Sequence, residues 1–159
     1  MIRIPLSQGL EAIIDDCDAA FAKVKWHAHK AHRGTWYARR TKKKDGRKTV
    51  LYLHREILGV SRDGFGVQVD HVNGDGLDCR RENLRVVTMG QNRMNSRKRS
   101  DNRSGYKGVS WWSHGRCWRA QIRLNGRNHW LGNFSDPEAA HRAYAEAARR
   151  MHGEHARTE

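Results

Sequence analysis

Acidic side chains are scarce in this sequence: 17 Asp and Glu stand against 31 Lys and Arg, a net charge of +14 with His neutral. So one-sided a surface concentrates phosphate counterions and speeds encounter with polyanions, which puts nucleic acid ahead of an acidic membrane as the partner. Long apolar runs are missing as well. Nothing approaches the roughly 20 apolar residues that span a bilayer; the most tempting run, Leu10 to Ile14, is broken by Glu11, and no basic amphipathic helix stands out. A secretory signal is not seen either, because Glu11, Asp15, Asp16 and Asp18 fall where its apolar segment would lie, so the expected location is the cytoplasm. Cysteine is sparse: Cys17, Cys79 and Cys117 are odd in number, far apart and never spaced as CxxC. That argues against a disulfide framework and a cysteine zinc site, and all three read as free thiols. At 159 residues the chain has room for one compact unit or two small ones, not for a large multidomain enzyme.

Composition shifts divide the chain into a lead-in over 1–49, a middle module over 50–97, a basic connector over 98–103 and a C-terminal module over 104–159. In the lead-in, the β-rich runs Trp36 to Arg40 and Thr49 to Leu53 flank Lys43-Lys44-Asp45-Gly46-Arg47, and Asp-Gly between such runs is a hairpin signal. The cations at that turn read first as a solvated loop, with phosphate contact as the alternative. His54 to Gly59 reads as a short helical turn closed by glycine. Val67 to Val72 alternates apolar and polar residues, a turn-rich stretch from Asn73 to Gly76 follows, and Asn83 to Thr88 forms a second strand before a short helix over Met89 to Asn95. The middle module is therefore expected to be ββα. In the C-terminal module three runs around Val109, Ala120 and Leu131 predict an antiparallel sheet turning at Ser113-His114-Gly115 and Asn125-Gly126. Ser135-Asp136-Pro137-Glu138 reads as a capping box for a helix whose Ala139, Ala140, Ala143, Tyr144, Ala147 and Ala148 recur at helical spacing.

Asp70-His71, Asn83 and Asn92 are the residues that could carry chemistry. Phosphodiester hydrolysis needs a base to activate water, which a histidine supplies near neutral pH, and a cation to neutralise charge on the phosphate. One carboxylate with an amide oxygen is a hard, sparse donor set that suits Mg²⁺ or Mn²⁺ better than zinc. His54 and the other histidines show no comparable partner pattern and read as surface or packing residues.

Val69-Asp70-His71-Val72-Asn73-Gly74-Asp75, Asp78, Arg80-Arg81, Asn83-Leu84-Arg85, Thr88 and Gln91-Asn92 together resemble the HNH homing endonucleases of phages and mobile introns. The resemblance implies His71 as general base, Asp70 and Asn92 as ligands of one divalent ion, and Asn83 as the brace that orients the histidine. Leu53-His54-Arg55 resembles the segment these proteins carry before the catalytic hairpin. Cys79 departs from the pattern, standing where the family shows asparagine, but removes no catalytic group.

Residues 104–151 resemble the AP2 DNA-binding domain through Tyr106-Lys107-Gly108-Val109, Trp118 to Arg123, Trp130 to Phe134 and the alanines of the last helix. That family lays a three-stranded sheet in the major groove, which implies Lys107, Trp112, Arg119, Gln121, Arg123 and Trp130 as DNA contacts, while Arg116 and Arg127 read as phosphate contacts that set register and affinity. Strand alternation agrees for Arg119, Gln121 and Arg123, provided Ala120, Ile122 and Leu124 face the helix. Trp118 fits neither face cleanly, and packing is at least as good a reading for it as contact.

The combined expectation is an α+β chain, a ββα-metal HNH module followed by an AP2-like three-stranded antiparallel sheet packed on one helix. It would act as a metal-dependent endonuclease on double-stranded DNA in a bacterial or phage-infected cell, using Mg²⁺ or Mn²⁺, with no small-molecule substrate and no membrane partner. The alternative is a non-catalytic, sequence-specific DNA-binding regulator with a degenerate HNH module. The sequence leaves the oligomeric state open, a monomer being compatible with it.

Overall fold

Alternation of apolar and polar residues builds the first strands. β1 (Ile2–Pro5) and β2 (Glu11–Ile14) pair antiparallel with Ile2 opposite Ile14 and Pro5 opposite Glu11. Ile4, Ala12 and Ile14 turn inward, while Arg3 and Glu11 form an exposed ion pair at 3.0 Å. In the computed structural model, residues 1–31, 34–44, 46–60, 66–99 and 101–158 are described, those at 44 and 154 by their backbone alone. They fall into two compact units, Met1–Met89 and Gly90–Glu159.

In the first unit a 3-10 helix (Asp16–Lys23) leads to a meander of β3 (His27–Lys30), β4 (Trp36–Lys44) and β5 (Arg47–Tyr52). The expected hairpin is thus present and longer than the sequence runs suggested, closing with Lys44 opposite Arg47. Asp45 of its turn lies outside the described residues; Gly46 takes the left-handed φ of 76°. α1 (Leu53–Ile57) follows at once and stops at Gly59, whose φ is 64° and whose N–H donates to Glu56 O at 3.1 Å. β6 (Val67–His71) and β7 (Leu84–Thr88) then pair antiparallel from Val67 opposite Thr88 to His71 opposite Leu84, and α2 (Met89–Met94) succeeds β7 directly.

Residues 1–49 do not stand apart from this hairpin. Ile4, Ala12, Ile14, Trp26, Ala38, Leu53, Ile57, Val69, Cys79 and Leu84 form one apolar cluster. Ile14 and Leu53 are wholly buried, and such side chains contribute roughly 1.5–3 kcal/mol each. Two further ties cross the same distance in sequence. Ile13 N donates to Leu77 O at 2.9 Å and Cys79 N to Ile13 O at 2.8 Å; the Arg81 guanidinium grips the buried Asp18 carboxylate at 2.7 and 2.8 Å. Cys79 sits in this core, and burial pushes its thiol up to about 12. It fills the position as a small apolar residue.

The second unit has the expected three strands, β8 (Val109–Trp112), β9 (Cys117–Leu124) and β10 (Arg127–Phe134), in the order β10–β9–β8. Asn125 and Gly126 both take left-handed φ, 50° and 78°, which suits the twist of a two-residue hairpin. Ala120 and Ile122 face α3 (Pro137–His152), packing with Ala140, Tyr144, Ala147 and Ala148. The helix cap is Asp136 rather than Ser135: its carboxylate accepts from Glu138 N at 2.9 Å and Ala139 N at 2.8 Å, with Pro137 in the first turn. An ionised acceptor reaching two amides outbids a serine hydroxyl one residue earlier. Gly108 is required on two counts, a φ of 75° and a Tyr144 ring so close that a Cβ would lie 2.0 Å from it. Among the described residues no helix is long and apolar enough to cross a membrane.

Candidate functional site

The C-terminal end of β6 buries polar residues on both of its faces. Asp70 is 7% exposed and His71 5%. Asp70 stands opposite Arg85 on β7, and its Oδ2 accepts from Arg85 Nε at 2.9 Å and Nη2 at 2.8 Å. A carboxylate buried at this depth needs such a partner, since an uncompensated charge there costs several kcal/mol.

The loop leaving His71 is tied down by side chains. Asn83, itself buried, accepts from Asn73 N at 3.0 Å through Oδ1 and donates to Asp78 O at 2.7 Å through Nδ2. Asn73 donates to Asp78 Oδ2 at 2.9 Å, while its own Oδ1 receives Asp75 N at 2.8 Å. Arg80 closes on both oxygens of Asp78 at 2.8 Å, and these hydrogen bonds hold the Asp78 carboxyl below its usual range. The backbone repeats the pattern, with Val72 N donating to Asn83 O and Gly74 N to His71 O, both at 2.9 Å. The asparagine-rich stretch that reads as loop composition is therefore a fixed frame at the strand end.

Around the His71 imidazole lies a set of rings that the sequence reading did not assemble. The His54 ring is 4.9 Å away at an interplanar angle of 75°, edge to face, and the Tyr37 ring is 5.8 Å away. Tyr37 also lies 5.4 Å from His54, and Tyr52 5.7 Å from His54. His54 is 7% exposed, so it is neither a surface residue nor remote from the site. The segment Leu53-His54-Arg55 was the available signal for it; Tyr37, far upstream on β4, carried none. Gly76 fixes Tyr37 in turn, because a Cβ there would meet the Tyr37 ring at 2.7 Å and the Trp36 carbonyl at 2.3 Å. Burial lowers His71 to about 4, partly offset by Asp70, Asp75 and Asp78. Burial likewise lowers His54 to about 3, with His71 and Arg55 adding to it. Both imidazoles are neutral at physiological pH, and burial with the Asp70 charge raises the Tyr37 phenol.

Asn92 lies on α2, in the second unit. Among the described residues no group of three or more His, Cys, Asp or Glu could hold a metal. The buried carboxylate of Asp70, next in the chain to a neutral imidazole, is compatible with a sparse oxygen site that leaves positions to water and phosphate.

In the second unit, alternation exposes Ser110, Gln121, Arg123 and Asn133 opposite the helix-covered face. Arg119 lies on the same face with its guanidinium 4.3 Å over the Trp112 ring. Arg116 and Arg127 are exposed beside the two turns, and Trp130 is 66% exposed opposite Gln121. Trp118 is resolved to the helix side, half-buried against Val109, Ala120 and Ala140 and 5.1 Å from Trp111 edge to face. The Lys107 ammonium donates to Met94 O at 2.8 Å and Arg157 O at 3.0 Å. Two strong backbone acceptors hold it, and desolvation lowers it to about 8.

Comparison with known proteins locates these features. The HNH endonuclease family model matches residues 64–94, which carry β6, the braced loop, β7 and α2. Protein 3.8 of Escherichia phage T7 is 30% identical over 92 residues, a stretch covering 58% of this chain and 75% of that protein. No solved structure matches. The chain belongs to the family of phage T7 Protein 3.8 and carries within it a segment that matches the HNH endonucleases.

Proposed function

We propose that this protein is a metal-dependent, homing-type HNH endonuclease that hydrolyses phosphodiester bonds of double-stranded DNA. The observation that carries this reading is the neutral, buried His71 imidazole, next in the chain to the buried Asp70, at the end of a braced strand inside the HNH-matching segment. A neutral imidazole can take a proton from water as that water attacks phosphorus. The new P–O bond forms as the bond to the leaving oxygen breaks, and the proton of the water passes to His71. Asn83 keeps the loop beside His71 closed, so the ring does not swing with a mobile turn. Asp70, with Asn92 from the helix after β7, would hold Mg²⁺ or Mn²⁺, which when bound neutralises charge on the scissile phosphate and the leaving oxygen.

The AP2-like sheet is the proposed reader of the duplex. Arg119, Gln121, Arg123 and Trp130 would reach base edges, with Trp112 supporting the Arg119 guanidinium, and Arg116 and Arg127 would contact phosphates and set register. Lys107 is left out of this set because its ammonium is already engaged. The excess of cations makes the affinity strongly salt-dependent.

One observation favours a second reading. Arg85 donates from Nε and Nη2 to Asp70 Oδ2, an arrangement that also suits a carboxylate kept only for folding. A DNA-binding regulator with an inert HNH module would look the same at that pair. Incubating supercoiled plasmid that carries the native genomic neighbourhood with Mg²⁺, Mn²⁺ or EDTA separates them. Metal-dependent nicking or cutting supports the nuclease; tight, salt-sensitive binding with no cleavage in either metal supports the regulator.

A further inference from the structure

Among the described residues of the first unit His54 is the one buried histidine apart from His71 itself, and nothing assigned to the site so far uses it. Three facts constrain what it does. Its ring touches the rings of His71, Tyr37 and Tyr52 at centroid distances of 4.9, 5.4 and 5.7 Å. Its Nδ1 is buried and has no hydrogen-bond partner among the described residues. It stands in α1 directly after β5, between Leu53 and Ile57 of the main core, so its backbone has little freedom to move. His54 meets His71 ring to ring, and an edge-to-face contact between flat rings fixes their mutual angle.

His71 is the last residue of β6, where the strand gives way to the loop, and the rings on its flanks limit the rotamers its imidazole can take. Tyr37 fills one flank and is itself locked by Gly76. We infer that His54 fills another and is a positioning residue for His71, setting the plane of the imidazole that would accept the proton. This rests on the nuclease reading, whose base is His71. Misplacing a reacting group by about 1 Å can cost on the order of a hundredfold in rate, so a missing ring wall has a measurable consequence.

The test uses the full chain as wild type, His54→Ala and His54→Phe, with three readouts: single-turnover cleavage of plasmid in Mn²⁺, DNA affinity by fluorescence anisotropy, and the ring C–H resonances of His71 by NMR. His54→Ala is expected to slow cleavage at least tenfold with DNA affinity within twofold of wild type, and to shift the His71 resonances as the ring contact is lost. His54→Phe keeps a flat ring, removes the unpartnered Nδ1, and is expected to melt no lower than wild type and to recover most of the rate. Retention of wild-type cleavage in His54→Ala would overturn the inference. So would a parallel loss of affinity, which makes His54 a DNA contact, or a folded His54→Phe as slow as His54→Ala, which makes the nitrogens rather than the ring essential. Absence of cleavage by the wild type refutes the nuclease reading itself, and the NMR arm then stands alone: His71 resonances unmoved in His54→Ala overturn the ring contact independently.

Discussion

Replacing Asn83 by alanine removes two hydrogen bonds at once from the loop that follows β6. The lost pair is the acceptor for Asn73 N at 3.0 Å and the donor to Asp78 O at 2.7 Å, the second of them fully buried. Breaking a buried hydrogen bond costs roughly 1–3 kcal/mol and a partly buried one less, so the sum is on the order of 2–4 kcal/mol. A unit spanning Met1–Met89 loses about 4–8 °C of melting temperature per kcal/mol. The expected fall is therefore at least about 8 °C. Amide resonances of β6 and β7 followed on heating report this unit without interference from the other. Asn83→Asp keeps the acceptor and loses the donor, so it should not restore the wild-type value. A fall of under about 2 °C in Asn83→Ala would show that the loop is held elsewhere, and the bracing argument would fail.

Other substitutions probe other parts of the account. Gly108→Ala forces a Cβ against the Tyr144 ring at a φ of 75° and should destabilise the second unit by about 2 kcal/mol or more, read from denaturant midpoints. Gly76→Ala should push the Tyr37 ring off His71 and lower cleavage more than DNA affinity, read from single-turnover rates beside anisotropy. Desolvation lowers Lys107 to about 8 in the folded chain from an ordinary 10.5, so the unfolded chain binds more protons between those values. Stability of the second unit should accordingly rise with pH across that window, and Lys107→Met should flatten the rise. His152, the other lowered group nearby, titrates below it. Arg123→Ala should weaken DNA binding and reduce the salt slope by about 1 if the side chain meets phosphate, or change base preference if it meets a base edge.

The parts of the fold written in short-range pattern were legible. The β6–β7–α2 order, the three C-terminal strands and the Asn125-Gly126 turn all follow from alternation and turn chemistry within a few residues. β1, β2 and β3 were not recognised, being four residues each with no strong turn signal, and the core they share with Leu53, Val69 and Leu84 is a matter of long-range packing. The same division runs through the site. Asp70, His71 and Asn83 stand close in sequence and could be picked out together. Tyr37 and His54 reach His71 only through the packing of β4 and α1, which no periodicity announces. The partners of Lys107 were illegible for a related reason, since the carbonyls of Met94 and Arg157 that accept from it lie 13 and 50 residues away.

The central claim is that His71 is the base of a DNA-cleaving site, and its most direct test is one comparison. Single-turnover cleavage of native-neighbourhood plasmid in Mg²⁺ and in Mn²⁺ should be measured for wild type and His71→Ala, with DNA affinity determined in parallel. The account predicts metal-dependent cleavage by wild type, abolished by EDTA, and a loss of at least a hundredfold in His71→Ala at nearly unchanged affinity, as removal of a general base requires. Cleavage that survives in His71→Ala, or a wild type that binds DNA and cuts in neither metal, would contradict it.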